Sequence, residues 1–252
     1  MRILLLAIVA LSGICCADFP GPSATVLPLP DSLRTVADIP LPAGFHRLDT
    51  SSQSFAGWLR SIPLRSDRTV YLYNGLRKAN QSAQYAVLDV SVGNSDLQQC
   101  ADAVMRLRAE YLFSQQRFGD IRFFDNADHE YLWTGGGDRD RFARYLLQVF
   151  ARCGTASLER QLRRQPTIRE VQAGDVLVRG GFPGHAMMVM DVVVNADGER
   201  RFLLAQSYMP AQDIHIVRNP NEPGLNPWYK ALDGHVIETP EWTFFPGQLR
   251  RG

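Results

Sequence analysis

An α+β fold is predicted, with helices packed on an antiparallel sheet, and three observations carry that expectation. Two capped, periodic segments lie in the middle of the chain, between residues 94 and 154. Apolar runs of strand character follow them from Val176 to Val217. An Asp197-Gly198 turn signal joins the two longest of these runs, which makes them antiparallel neighbours.

The 252 residues suffice for one large domain or a domain with an extension, and 45% hydrophobic with 21% charged residues is an ordinary globular composition. A net charge of +1 provides no global field to attract nucleic acid or anionic lipid. The basic run Arg160 to Arg164 is expected to be a solvated helix face.

Residues 1–17 have the form of a secretory signal peptide, Met1-Arg2 leading an apolar run from Ile3 to Leu11. That run is far short of the ~20 residues needed to span a bilayer. Cleavage after Ala17 fits the small residues Cys15 and Ala17, while Leu11-Ser12-Gly13 nearly completes a lipobox whose cysteine arrives one residue late. The expectation is therefore an exported protein, in the periplasm or outside the cell, attached to a membrane only if lipid-anchored at its N-terminus. Two cysteines then remain, Cys100 and Cys153, and in an oxidising compartment a disulfide between them is the default.

The elements follow in order. Residues 18–44 carry six prolines from Pro20 to Pro42 and are expected to be an extended tether or wrap. A single folded domain is expected over 45–252, beginning near Phe45. Ser54 to Arg60 is a short helix with Phe55, Trp58 and Leu59 on one side, stopped before Pro63. Thr69 to Tyr73 and Gln84 to Val92 are rich in β-branched and aromatic residues and are expected as strands. Ser95 and Gln98 have capping-box spacing, so a helix is predicted from about Asp96 to Phe118. A second helix runs from Asp138 to Gly154 with Phe142, Leu146, Val149 and Phe150 inward. Strands are expected at Val176 to Val178, His185 to Val194, Arg201 to Tyr208 and Asp213 to Val217.

Three residues in this order suit thiol chemistry: Cys100 as nucleophile, His185 as base and Gln206 as the group orienting the base. Cys100 is expected four or five residues into its helix, where the N-terminal dipole is fading, so an imidazole must do most of the activation. It shares an apolar stripe with Val104, Leu107 and Tyr111, a position equally suited to an inert core cysteine. Cys153, at a helix C-terminus, is the poorer nucleophile. His185 opens an apolar strand after Gly180-Gly181-Phe182-Pro183-Gly184, whose glycines suit close backbone approach at a cleft. Gln206 shares the strand face of His185, but a tight Asp197-Gly198 turn would pair it with Val189. A His185–Gln206 contact needs a turn centred on Asn195-Ala196, or a bulge.

The set Cys100, Gly174-Asp175, Gly184-His185 and Gln206 resembles the NlpC/P60 branch of papain-like cysteine hydrolases. That resemblance implies a papain-like fold and cleavage of amide bonds in cell-wall peptides. By it, Cys100 is nucleophile, His185 general base and Gln206 the polar third member. The flanks differ, with Gln99 before the cysteine and Ala101-Asp102 after it, where that branch has Asp before and Ser-Gly after. Longer phrases, Asp96 to Tyr111, Gly180 to His185 and Leu204 to Gln212, resemble domain-of-unknown-function family 4846, exported bacterial proteins, over roughly residues 45–230.

The leading expectation is a monomeric cysteine amidase or peptidase acting on cell-envelope peptides without a cofactor. The alternative is a non-catalytic scaffold that binds an envelope peptide or protein, with Tyr71, Tyr73, Trp133, Trp228 and Tyr229 as contact candidates. Asp128-His129-Glu130 with His185 or His215 offers metal donors, but no His pair has helical spacing. Gly135-Gly136-Gly137 lacks the following Lys-Ser/Thr of a phosphate loop.

Overall fold

The structure is a computed structural model that describes residues 33–252. The segment expected to be a signal peptide, the lipobox alternative and the prolines up to Pro30 lie outside the described residues.

The first part of the fold holds strand β1 (His46–Arg47), helix α1 (Phe55–Ser61) and strand β2 (Gln84–Val87). The middle holds α2 (Cys100–Ser114), strands β3 (Arg122–Phe124) and β4 (Glu130–Leu132), α3 (Arg139–Arg152) and α4 (Thr155–Gln161). Strands then dominate: β5 (Arg163–Arg164), β6 (Val176–Arg179), β7 (His185–Val194), β8 (Arg200–Gln206) and β9 (His215–Val217). The C-terminal segment adds β10 (Tyr229–Lys230), β11 (Ile237–Glu238), β12 (Thr243–Phe244) and β13 (Leu249–Arg251).

Nine strands form one antiparallel sheet in the order β2-β9-β8-β7-β6-β13-β5, with β1 beside β7 and β10 beside β8. Helices with a mostly antiparallel sheet make this an α+β fold. The central strand β7 is buried on both faces. Ala186, Met188 and Met190 meet the helical core, while Met187, Val189 and Val192 meet a second core that includes Tyr229, Phe244 and Leu249. An uninterrupted apolar run is what burial on both faces demands.

Capping chemistry sets the helix starts. The Ser54 hydroxyl accepts the Gly57 amide at 3.1 Å ahead of α1, and the Asp138 carboxylate accepts the Arg141 amide at 3.0 Å ahead of α3. Helix α2 begins later than its sequence suggests. The Asp96 carboxylate is drawn away to the Ala211 amide at 2.6 Å, so it caps no helix. Asp102 does the work instead, accepting the Gln99 amide at 3.0 Å, and Cys100 becomes the first helical residue. At the other end Gln116 takes a left-handed φ of 55° and ends the turn before Phe118.

Thr69 to Tyr73 forms no strand. It makes only isolated bridges, Tyr71 with Arg77 and Leu72 with Gln212, because side chains take the first donors: Val70 N–H goes to Gln81 at 3.1 Å and Tyr71 N–H to Asp213 at 2.8 Å. Helix α4 was not anticipated; seven residues show too little period for a sequence to announce it. It takes Arg160, while Arg163 and Arg164 form an exposed edge strand, so the basic run is only partly helical. The folded core also begins before Phe45, because Leu33, Val36 and Ile39 are buried in it.

Candidate functional site

A cavity of about 500 Å³ opens where the start of α2 meets the start of β7. Cys100 and His185 both line it, together with Tyr208 and Trp242. Two loops pin these elements. The Ser207 hydroxyl lies 2.9 Å from the Gln98 carbonyl oxygen and 2.8 Å from that of Gln212, tying the residue after Gln206 to the segment before Cys100. The Asp96 contact to Ala211 closes the same seam.

The β7–β8 register resolves the pairing question. Val194 pairs with Arg200, which makes Asn195 to Glu199 a five-residue loop, and a bulge between Val189 and Asp191 shifts the register by one. Met188 then pairs with Ala205, and the next step along each strand sets Gln206 diagonal to His185. Their side chains meet, His185 Nε2 lying 2.8 Å from Gln206 Oε1. Of the two routes the sequence left open, a turn centred on Asn195-Ala196 or a bulge, the strands take the bulge, and the contact is diagonal rather than directly opposite.

Cys100 is 8% exposed and, as the first residue of α2, sits where the helix dipole acts most strongly. Burial nevertheless pushes its thiol up to about 11, opposed first by the Ala186 backbone amide and then by the amides of Ala101 and Cys100 itself. His185 is 1% exposed, and burial pulls its imidazole down to about 4. The Gln206 hydrogen bond acts in the opposite direction, and nearby Lys78 adds to the lowering. The resting pair at neutral pH is therefore thiol and neutral imidazole.

The ring of His185 is packed among aromatics, with centroids 4.9 Å from Tyr208, 5.1 Å from Trp242 and 6.0 Å from Phe244. Such packing restricts the ring and excludes water from its hydrogen bond to Gln206. Behind Gln206 lie residues that sequence reasoning did not assign to this site. Gln206 Nε2 is 2.8 Å from Glu241 Oε2 and 3.3 Å from His215 Nε2, and Lys78 pairs with Glu241 at 2.5 Å. The pairing of His215 directly opposite Gln206 was readable only once the β8–β9 register was known.

The glycine loop forms one wall of the cavity. Gly180 N–H bonds the Glu159 carboxylate at 2.8 Å, and Thr155 Oγ1 donates to the Gly181 carbonyl at 3.1 Å, which anchors the loop on α4. A Cβ on Gly184 would lie 2.3 Å from the Gly181 oxygen, so no larger residue fits. Phe182 stands 95% exposed at the rim, with Met209 half-exposed beside the same cavity. Asp102 also lines it, 5% exposed, its Oδ1 without a hydrogen-bond partner. Burial raises that carboxyl well above the usual carboxylate range.

Other expectations are relocated. Cys100 and Cys153 share the cavity but are both free thiols, not a disulfide. Gly174-Asp175 lies away from it; the Asp175 carboxylate binds Arg251 at 2.6 and 2.7 Å and fastens the C-terminal strand. Trp133, Trp228 and Tyr229 are core residues, and Tyr71 and Tyr73 lie outside the cavity, whose aromatic side chains besides His185 are Phe150, Phe182, Tyr208 and Trp242. His129 is held at the surface by Asp125, and among the described residues no group of three or more His, Cys, Asp or Glu could hold a metal ion. No helix among the described residues is long and apolar enough to cross a membrane.

These features define an α+β protein with a cysteine and a histidine lining one cleft and a glutamine buried behind the histidine. The model of the family described as domain of unknown function 4846 matches residues 36–136 and 133–251, so the chain belongs to that family. No curated protein and no solved structure matches it.

Proposed function

We propose that the cleft is the active site of a papain-like cysteine hydrolase, an amidase or peptidase acting on cell-envelope peptides. The observation that carries this reading is the shared cavity of Cys100 and His185, with His185 Nε2 held by Gln206. The remaining ring nitrogen, Nδ1, serves as base. As the Cys100 sulfur attacks a peptide carbonyl, Nδ1 takes the thiol proton, and the carbon–oxygen double bond opens to an oxyanion. Backbone amides at the start of α2 offer it hydrogen bonds. The imidazolium then protonates the leaving amine as the C–N bond breaks, giving a thioester. Water, deprotonated by His185, hydrolyses the thioester and restores the thiol. An exposed apolar rim at Phe182 and Met209 suits an extended peptide, and the export expected from residues 1–17 suits an envelope substrate.

The thiol's resting state makes the test sharp. Unassisted, a thiol near 11 reacts with iodoacetamide only in strong alkali. With imidazole as proton acceptor, Cys100 labels at neutral pH, and His185→Ala removes that labelling. Hydrolysis of cell-wall peptides, read by mass spectrometry, is lost in Cys100→Ala and His185→Ala alike. Labelling that rises only above about pH 9 and ignores His185 sinks the proposal.

A second reading is a papain-like scaffold that binds an envelope peptide or protein without turnover. The burial that keeps the Cys100 thiol protonated favours it. Peptide binding that survives Cys100→Ala, with no cleavage by the unaltered chain, separates it from the first.

A further inference from the structure

The polar chain behind His185 is longer than holding a ring in place requires. Gln206 is fully buried, and its amide meets His185 at one end and both His215 and Glu241 at the other. His215, also fully buried, has Nδ1 2.8 Å from the backbone carbonyl of Asp213. A carbonyl only accepts, so that nitrogen carries the hydrogen of the neutral ring and Nε2 is left as an acceptor. Glu241 is an acceptor as well, with Lys78 on Oε2 at 2.5 Å and Asn80 on Oε1 at 3.2 Å. Two acceptors therefore face one end of the Gln206 amide, which must be its NH2 group. The opposite end is then the carbonyl, and it demands a hydrogen on His185 Nε2.

We infer that Glu241 and His215 are positioning residues that lock the Gln206 amide in one orientation, fixing His185 as the Nε2–H tautomer with its Nδ1 lone pair free to act as base. The inference deepens the hydrolase reading and rests on it for its catalytic meaning, though the tautomer itself does not depend on turnover. A reversed amide would set its carbonyl against the Glu241 carboxylate and against the His215 acceptor together. Holding the ring by packing alone would leave both tautomers open, and the wrong one offers an N–H, not a lone pair, at Nδ1. Both anchors originate at fixed points of the fold: Asp213 precedes β9, and Lys78 ties Glu241 to the segment before β2.

The experiment is long-range ¹H–¹⁵N correlation on the histidine-labelled chain near pH 7. The unaltered chain is expected to show His185 as Nε2–H alone. In Lys78→Met/Glu241→Met, which removes the ion pair without stranding a buried charge, an Nδ1–H population appears. Neutral-pH labelling of Cys100 and kcat then fall by about 10- to 100-fold, the worth of one hydrogen bond to a charged group, with KM unchanged. Glu241→Gln, which keeps an acceptor, restores the single tautomer and the rate. An Nδ1–H signal in the unaltered chain, or a tautomer that ignores the double substitution, overturns the inference, and the first of these needs no variant to fold. A chain with no turnover whose His185 tautomer still responds would sink the hydrolase reading and leave this inference standing.

Discussion

The two cysteines of this chain share a cavity and differ in which end of a helix they occupy. Cys100 opens α2, and Cys153 closes α3, its amide bonded to the Val149 carbonyl at 2.8 Å. Burial raises both thiols, Cys100 to about 11 and Cys153 to about 12. Their surroundings separate them. Asp102 pushes both thiols further up, but three backbone amides oppose the rise at Cys100, whereas Cys153 has no such donors and Asp125 raises it as well. Equal burial thus leaves one thiol with donors for a developing negative charge and the other without. Burial dominates both thiols, and the backbone groups that point at the sulfur make the difference between them.

The largest expected effect breaks that comparison directly. Cys100→Ala abolishes both cleavage and neutral-pH labelling, while Cys153→Ala leaves both intact. Peptide mapping of the iodoacetamide adduct checks it. Labelling of Cys153 in preference to Cys100 would mean that the helix ends do not discriminate the two thiols.

Much of this arrangement was legible in the chain. Strand β7 was expected at His185 to Val194 and has those bounds, because a long apolar run after a glycine loop has few other uses. Helix α3 was readable from Asp138 and its four inward residues. The start of α2 was not, since the true cap partner, Asp102, lies inside the helix while Asp96, at the expected start, is taken by Ala211 from across the molecule. At the site, Cys100, His185 and Gln206 were each singled out, but Glu241 and Lys78 lie in irregular segments without a period to place them. Only tertiary register brings them behind Gln206.

The glycine wall opposite Cys100 gives the next effect. At Gly184 a methyl group would meet the Gly181 oxygen at 2.3 Å and the Arg179 oxygen at 2.8 Å, backbone atoms that cannot rotate aside. Gly184→Ala is expected to cost about 1–3 kcal/mol of stability and to displace His185 from the cleft. A crystal structure or denaturant titration of the variant checks both parts. An unchanged urea midpoint would show that the loop yields freely.

The two histidines flanking Gln206 predict a pH dependence of folding. Both folded-state values lie below the ordinary 6.5, His185 at about 4 and His215 at about 3. Below 6.5 the unfolded chain binds protons that the folded chain refuses, so stability is full above about pH 6.5 and falls as the pH drops toward 4. Each ring accounts for roughly 2 kcal/mol of that loss by pH 5. Urea midpoints at pH 7 and pH 5 measure the sum. A midpoint indifferent to pH over this range would mean that water reaches the rings and that the Gln206 chain is not sealed.

The smallest effect lies at the rim. Phe182 contributes almost nothing to folding at 95% exposure, yet its ring stands beside the cavity that Cys100 and His185 line. An apolar side chain kept in water at a cleft gains only when a ligand covers it. Phe182→Ser should therefore leave the thermal midpoint unchanged and raise KM about fivefold, since partial burial of one ring is worth about 1 kcal/mol. The ratio of kcat values for the two chains should stay near one. A fall in kcat with KM constant would instead place the ring among the groups that hold His185, joining Tyr208 and Trp242 in the packing of its imidazole.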